Sequence, residues 1–463
     1  MMCVMAKRLL GKVSWGVKMR VAMGAGLSIV DLATDIFVII KYLDKPETRD
    51  YGFILMCMIG ASIFMQSISA IMQNSKKPRV VMKELLVVFT GLKPGLDAFR
   101  VASGKQMEEH HAVDAMTELT VMKVVEMTCE SIPGCCLQSY AVLKNGDYSS
   151  STIGSLLVSA FTTGFTSASI SFDYDVDPGA RKRAPHLYGY IPNGATRTVV
   201  FGCMLANSTL LLLIRSFSAA LLMLVEKRYF IAYLAGDHAL HLLYKVMRGD
   251  LIYWAPLPSF ASVIIRVLVK TLCDFTGVIQ FRHPCELGGL YWTGNTLLAL
   301  IASLASVWFY FERGGDLIDR ARTWTLAGSA CGSWLLVFGL FLLLIKKGFR
   351  RTFFSTKLGK DDMMDYFTEG KDDATKSEIF TVNKALWQSI REDVKKWIET
   401  NWWRWKEEKP DWYTELFVAS VPPDWIPLED EEIVNSIRER VRKLSRRQSS
   451  RYKVTSVSVA PSS

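Results

Sequence analysis

Cysteine is sparse in this 463-residue chain, nine in all, and no two stand in the C-x-x-C spacing of a zinc or thiol-redox site. A small disulfide scaffold is excluded, and the nine (positions 3, 57, 129, 135, 136, 203, 273, 285 and 331) read as small packing residues in or beside apolar segments. Glycine (31) and proline (15) are too few for a collagen-like repeat, and a chain that is 50% apolar is not disordered as a whole. Catalytic signatures are also missing: there is no P-loop, G-x-S-x-G, H-E-x-x-H or dinucleotide-binding fingerprint. The expectation is therefore no enzyme, no cofactor and no metal, since no Glu-x-x-His or other ligand spacing accompanies the acidic residues inside the apolar spans.

What the sequence has is apolar length. Runs at 52–73, 152–171, 198–214, 290–311 and 324–345 approach or exceed the roughly 20 residues that cross a hydrocarbon core. The expected fold is an all-α polytopic membrane protein with spans at 21–43, 52–73, 114–143, 150–172, 197–225, 229–247, 288–311 and 323–345. The first is read as a transmembrane helix and not a signal peptide, because its run continues through Asp31 and Asp35 to Leu43 with no small-residue cleavage site. Two further segments, 79–103 and 258–281, are apolar but broken by charge (Lys83, Lys93, Asp97, Arg100; Arg266, Lys270, Asp274), and are expected to be in-plane or re-entrant helices. Each half then reads as two spans, an in-plane segment and two spans, an order consistent with a two-half pseudo-repeat.

The net charge of +10 is uneven: residues 352–463 carry 19 Lys+Arg against 20 Asp+Glu, leaving 36 against 25 in the apolar part. The basic residues sit in short clusters beside spans without a nucleic-acid-binding motif, so nucleic acid is not an expected partner. They read instead as topology signals. Lys7 to Arg20, Lys76 to Lys83, Arg181 to Arg183 and Lys346 to Arg351 all fall on one side if the chain crosses eight times, which puts both termini in the cytosol.

The expected domains are a basic N-terminus (1–20), a membrane part (21–351), a cytosolic tail (352–447) and a disordered end (448–463). The tail holds seven of the 13 tryptophans, and Leu386, Ile390, Val394, Trp397 and Trp405 recur at helical spacing within an expected amphipathic helix at 382–408. Arg446-Arg447-Gln448-Ser449 is a basic-then-serine pattern that makes Ser449 the candidate regulatory site and a kinase an expected partner.

Ionisable residues within spans are the informative ones, because they are expensive there and face a bundle interior or a wet groove. Asp31 and Asp35 share one face of the first span, Glu126 and Glu130 repeat that spacing on the third with Lys123 before and Pro133 after, Arg215 lies in the fifth, and Asp237, His238 and His241 lie on the sixth. Two readings stand at this level: ion pairs that only fix helix packing, for example Arg215 with one of the four carboxylates, or a polar path for ions, solutes or lipid headgroups.

Asp31-Leu-Ala-Thr-Asp35-Ile-Phe-Val, the segment 85–100, Glu126-Met-Thr-Cys-Glu130-Ser-Ile-Pro133 with Leu137-Gln138-Ser139-Tyr140, and Leu213-Ile-Arg215-Ser-Phe-Ser-Ala-Ala resemble the XK-related family. So does His241, followed by an apolar-basic segment and two late spans. The resemblance implies eight spans with two in-plane helices and, as in several members, phospholipid scrambling along a stairway of charge. By position Asp31, Asp35, Glu126, Glu130 and Arg215 would line that path, with Lys123, Asp237, His241, Arg266 and Asp274 as auxiliary residues.

The function expected is lipid scrambling through a charged intramembrane groove, restrained by the tail, with membrane phospholipids as partners and an accessory membrane subunit or second copy beside them. The location expected is the plasma membrane, with an internal membrane as the alternative. The competing expectations are a solute or ion transporter using the same charges, and a non-transporting adaptor.

Overall fold

A computed structural model describes residues 15–74, 77–91, 93–102, 115–177, 181, 187–248, 259–282 and 287–354. The expected helix at 382–408, the disordered end and Ser449 lie outside these residues. The described secondary structure is helical throughout, with no strand among the described residues. We number the helices α1 (Trp15–Leu43), α2 (Arg49–Asn74), α3 (Pro78–Phe89), α4 (Lys93–Ala102), α5 (Ala115–Glu126), α6 (Ile132–Asn145), α7 (Ser150–Val176), α8 (Thr196–Val225), α9 (Lys227–Arg248), α10 (Ser259–Thr276), α11 (Gly289–Glu312), α12 (Arg320–Leu344) and α13 (Phe349–Thr352). A π turn, Met127–Ser131, joins α5 to α6, and a 3-10 turn, Ile279–Arg282, follows α10.

Among the described residues six helices are long and apolar enough to cross a membrane: Met19–Leu43, Arg49–Ile71, Ser150–Val176, Thr196–Val225, Gly289–Glu312 and Arg320–Leu344. They match six of the eight expected spans. The other two expectations differ in kind. The expected span at 114–143 is helical from Ala115 but interrupted by the π turn, and 229–247 falls within α9, which Arg228, Asp237 and Lys245 make more polar. The two charge-broken segments also differ from each other, since the first holds the two short helices α3 and α4 whereas the described part of the second is the single helix α10 and the turn Ile279–Arg282.

Pro133 explains the break. Its ring would press on the carbonyl one turn back and it has no N–H to give, so a regular helix is strained there. The chain widens instead: the Ile132 N–H reaches back five residues to the Met127 carbonyl.

The chain divides into two compact units, Met1–Leu242 with Leu257–Gly370, and Leu243–Pro256 with Lys371–Ser463. In the first, α8 is central and packs against α6, α7, α10, α11 and α12, while α1 packs against α2, α4 and α7. Small residues set the α7–α8 distance: Ser159, Ala160, Thr163, Gly164, Ser167, Ala168 and Ser171 are buried along α7, and a Cβ on Gly164 would stand 2.1 Å from Thr209 Oγ1. Ser167 and Ser208 hydroxyls bond across the same contact at 3.1 Å. The far end is an aromatic cluster of Tyr190, Trp292, Trp334, Phe338, Phe341 and Phe353. It holds the chain leaving α12: the Lys346 N–H donates to the Tyr190 carbonyl at 3.0 Å, and the backbone of Phe353 passes so close to Gly289 that a Cβ there would lie 2.5 Å from its carbonyl oxygen.

Candidate functional site

Asp31 and Asp35 turn inward from α1, 4% and 5% exposed, while Ile29, Val30, Ile36 and Phe37 face outward. The α5–π–α6 run brings Glu126 and Glu130 to them. Lys123 Nζ donates to Glu126 Oε2 at 2.8 Å and to the Ser28 hydroxyl, and Gln138 Nε2 donates to Asp35 Oδ1 at 3.2 Å. Asp35 interacts electrostatically with Asp31, Glu130 and Glu126, and Asp31 with Glu126 and Lys123. Ser159 lies beside Asp31, and Ser62 beside Glu130. Four carboxylates thus gather around one lysine, and Asp31 Oδ1 has no hydrogen-bond partner.

Arg215 is not in this cluster. It is buried on α8, donates from Nη1 to the Tyr233 hydroxyl at 2.5 Å, and bears electrostatically on Asp237 and Asp274. Its Nε has no hydrogen-bond partner. The pairing of Arg215 with one of the four carboxylates, entertained from sequence, is replaced by a second cluster in which Lys270 Nζ donates at 2.6 Å to both Asp237 and Asp274, and Asn295 Nδ2 donates to Asp274 at 2.5 Å. The physical reason is α6, which stands between the two: Cys135 lies against Asp31 and Asp35, and its neighbour Cys136 against Arg215.

Asp237, His238 and Asp274 offer ligand atoms within 4.8 Å of one another, the spacing of a metal site. The Lys270 ammonium contacts both carboxylates, so the chain's own cation stands where a divalent ion would bind. His238 is engaged at both ring nitrogens, with the Leu234 carbonyl at 2.9 Å and Thr271 Oγ1 at 3.0 Å. Of the other auxiliary residues, His241 is buried on α9 with its ring 5.6 Å from that of Tyr291, and Arg266 is buried on α10.

A third buried network closes the α3–α4 hairpin: Lys93 bonds Glu84 at 2.8 Å and Asp97 at 2.9 Å, and Arg100 bonds both carboxylates. Outside the spans, Asp147 accepts from Lys41 at 2.8 Å and from Thr152 at 3.1 Å, and these bonds, that of Lys41 foremost, hold its carboxyl below the usual carboxylate range.

Sequence reasoning placed the acidic residues together but missed the neutral partners Ser28, Ser62, Gln138, Ser159, Tyr233 and Asn295 as site members. The interruption of apolar runs by Gln138 and Asn295 was the available signal, because an amide at membrane depth needs a partner.

Six long apolar helices with charge gathered between them define an integral membrane protein. Residues 19–173 match the model of the XK-related family, described as XK-related protein, in agreement with the resemblance read from the motifs. The matched stretch holds all four carboxylates and Lys123; Arg215 and its cluster lie beyond it. No curated protein matches the chain.

Proposed function

We propose that the protein lets phospholipid headgroups cross a membrane, as an energy-independent scramblase without covalent chemistry. The observation that carries this reading is the acidic cluster: two carboxyl groups on the spanning helix α1 meet two more and one lysine on the α5–π–α6 run, so that acidic groups outnumber basic ones there among the described residues. A zwitterionic headgroup faces a large desolvation cost in hydrocarbon. Carboxylates would receive its choline or amine, and Arg215, with a donor to spare at Nε, its phosphate, so that short polar steps replace one large one. The family match over residues 19–173 supports the same reading. In it the protein works at the plasma membrane with both termini cytosolic, in eight crossings with 79–103 and 258–281 lying in-plane, and the tail beyond 352 restrains the path. An accessory membrane subunit or second copy and a kinase acting on Ser449 complete the proposed partners.

One observation favours a structural role for the second cluster alone: Lys270 satisfies Asp237 and Asp274 together, which is what a packing network requires. The test is a fluorescent-lipid accessibility assay in liposomes with Glu126→Gln and Arg215→Gln. Slower scrambling by folded variants supports the proposal. Parental rates in both refute it, and ion flux without scrambling replaces it with a transporter.

A further inference from the structure

Arg20 on α1 and Arg197 on α8 meet over one ring of α7, the helix that packs against both. Their guanidinium carbons lie 4.5 Å and 4.9 Å from the centroid of Phe172, which packs edge-on to Phe201 of α8 at 5.4 Å. Each arginine is the second residue of a segment of spanning length, Met19–Leu43 and Thr196–Val225, and Phe172 lies near the end of Ser150–Val176. The group therefore sits where the spans enter the headgroup region, at the end expected from the basic clusters to face the cytosol.

The charges of this group do not balance. Arg20 donates to Asp173 Oδ1 from Nε at 3.1 Å and also from Nη2. Arg181 Nε donates to the Asp175 backbone carbonyl at 2.6 Å, and its Nη2 stands 3.7 Å from the Asp175 carboxylate, whose oxygens already accept the N–H groups of Gly189, Tyr190 and Ile191. Arg197 is left over. It interacts electrostatically with Arg20, Arg181, Asp173 and Asp175, but its guanidinium makes no hydrogen bond or ion pair among the described residues. Three arginines thus face two aspartates, and the surplus cation is half-buried, held by its stack on Phe172, with its fork of N–H donors unspent.

We infer that this corner, open at the membrane surface, binds the phosphate of an anionic lipid headgroup, with Arg197 as principal donor and Arg181 beside it. The approach is from outside the fold: the Arg181 side chain is 35% exposed, and Asn193, Gly194 and Ala195, just before α8, are exposed. A guanidinium fork matches two phosphate oxygens, and a phosphomonoester offers three with up to two charges. A zwitterionic headgroup fits less well, because its own ammonium would meet the arginines. The source is a lipid because apolar surface continues from the charges toward mid-membrane. Met23 on α1, one turn on from Arg20, is 46% exposed, and Phe201 on α8, one turn on from Arg197, is half-buried, so an acyl chain has a surface to follow. Neither charge cluster contributes a residue here, and the inference does not depend on the scrambling proposal.

The test titrates the purified full chain in detergent with dioctanoyl phosphatidylinositol 4-phosphate and reads its thermal midpoint. Dioctanoyl phosphatidylcholine is the zwitterionic control, and inorganic phosphate at equal ionic strength is the soluble one. The phosphoinositide alone should raise the midpoint saturably. Half-saturation should weaken roughly tenfold or more in Arg197→Gln, the loss of a charge-assisted hydrogen bond. Arg197→Lys keeps the charge but loses the fork and should weaken binding too; should the first variant fail to fold, the second decides. Arg313→Gln, at the far end of α11, should bind as the parent does. No response to the phosphoinositide, an equal response to either control, Arg197 variants that bind like the parent, or as large a loss in Arg313→Gln overturns the assignment.

Discussion

Lys123 is the cation in a cluster of four carboxylates, and that imbalance makes an asymmetric prediction. Its side chain is 8% exposed and holds Glu126 at 2.8 Å together with the Ser28 hydroxyl. Lys123→Met leaves the carboxyl groups of Asp31, Asp35, Glu126 and Glu130 facing one another without the lysine ammonium. Removing one partner of a buried pair costs about 3–5 kcal/mol, and here several stranded acids share the loss. Glu126→Gln is different. The amide oxygen still accepts from Lys123, the remaining carboxylates still surround the ammonium, and one like-charge repulsion disappears. Its cost should be about 1 kcal/mol or less, the worth of exchanging a charged for a neutral hydrogen bond with partial compensation.

The assay is unfolding of both purified variants in the same detergent, with the double variant completing the cycle. Lys123→Met should be the less stable by several kcal/mol, and adding Glu126→Gln to it should recover part of the deficit by thinning the negative charge. In a balanced ion pair the two single substitutions would cost the same. Equal losses, or a neutral Lys123→Met, would refute the charge count on which the functional proposal rests.

Lys41→Met removes the main bond holding the Asp147 carboxyl below its ordinary value of 3.8. The partners are 22% and 30% exposed, so the loss at neutral pH should be only about 0.2–1 kcal/mol. Because the folded-state value is the lower one, this stabilisation is present above about pH 4 and fades as pH falls further, and the parent–variant difference in unfolding midpoint should shrink below that pH. Gly164→Ala puts a methyl 2.1 Å from Thr209 Oγ1 and 2.9 Å from the Thr209 backbone nitrogen. Overpacking of about 1–3 kcal/mol should appear as lower thermal stability, only partly relieved by Thr209→Ala because the backbone contact remains.

The six helices that meet the length and apolarity of a span were legible almost to the residue, since an uninterrupted apolar run admits few other folds: 150–172 became Ser150–Val176 and 197–225 became Thr196–Val225. Pro133 was visible as a helix-perturbing residue, but the π turn it accompanies was not, because widening one turn leaves the composition unchanged. The i, i+4 pairs Asp31/Asp35 and Glu126/Glu130 were legible from helix geometry alone, and the structure joins them into one cluster. The partner of Arg215 was not. Choosing among carboxylates on other helices needs the order in which helices pack, and Lys270, read as an interruption of an in-plane segment, is the group that meets Asp237 and Asp274.

Helix α6 carries the consequence of that packing order. Successive helical residues point about 100° apart, so Cys135 and Cys136 cannot face the same neighbour. Cys135 and, three residues on, Gln138 turn toward Asp31 and Asp35, whereas Cys136 turns toward Ser216 and Arg215. A helix with its side chains is about 10 Å across, more than a headgroup phosphate and its amine can bridge as a single ion pair. The carboxylates and Arg215 therefore cannot act as one clamp while α6 stands between them; under the scrambling proposal they must act in succession, around α6 or past it. The π turn is where that helix is least regular, and Glu126 and Glu130 lie at its start and within it. Its widened hydrogen bonding makes Met127–Ser131 the segment of the α5–α6 run that can yield at the least cost in regular helix bonds.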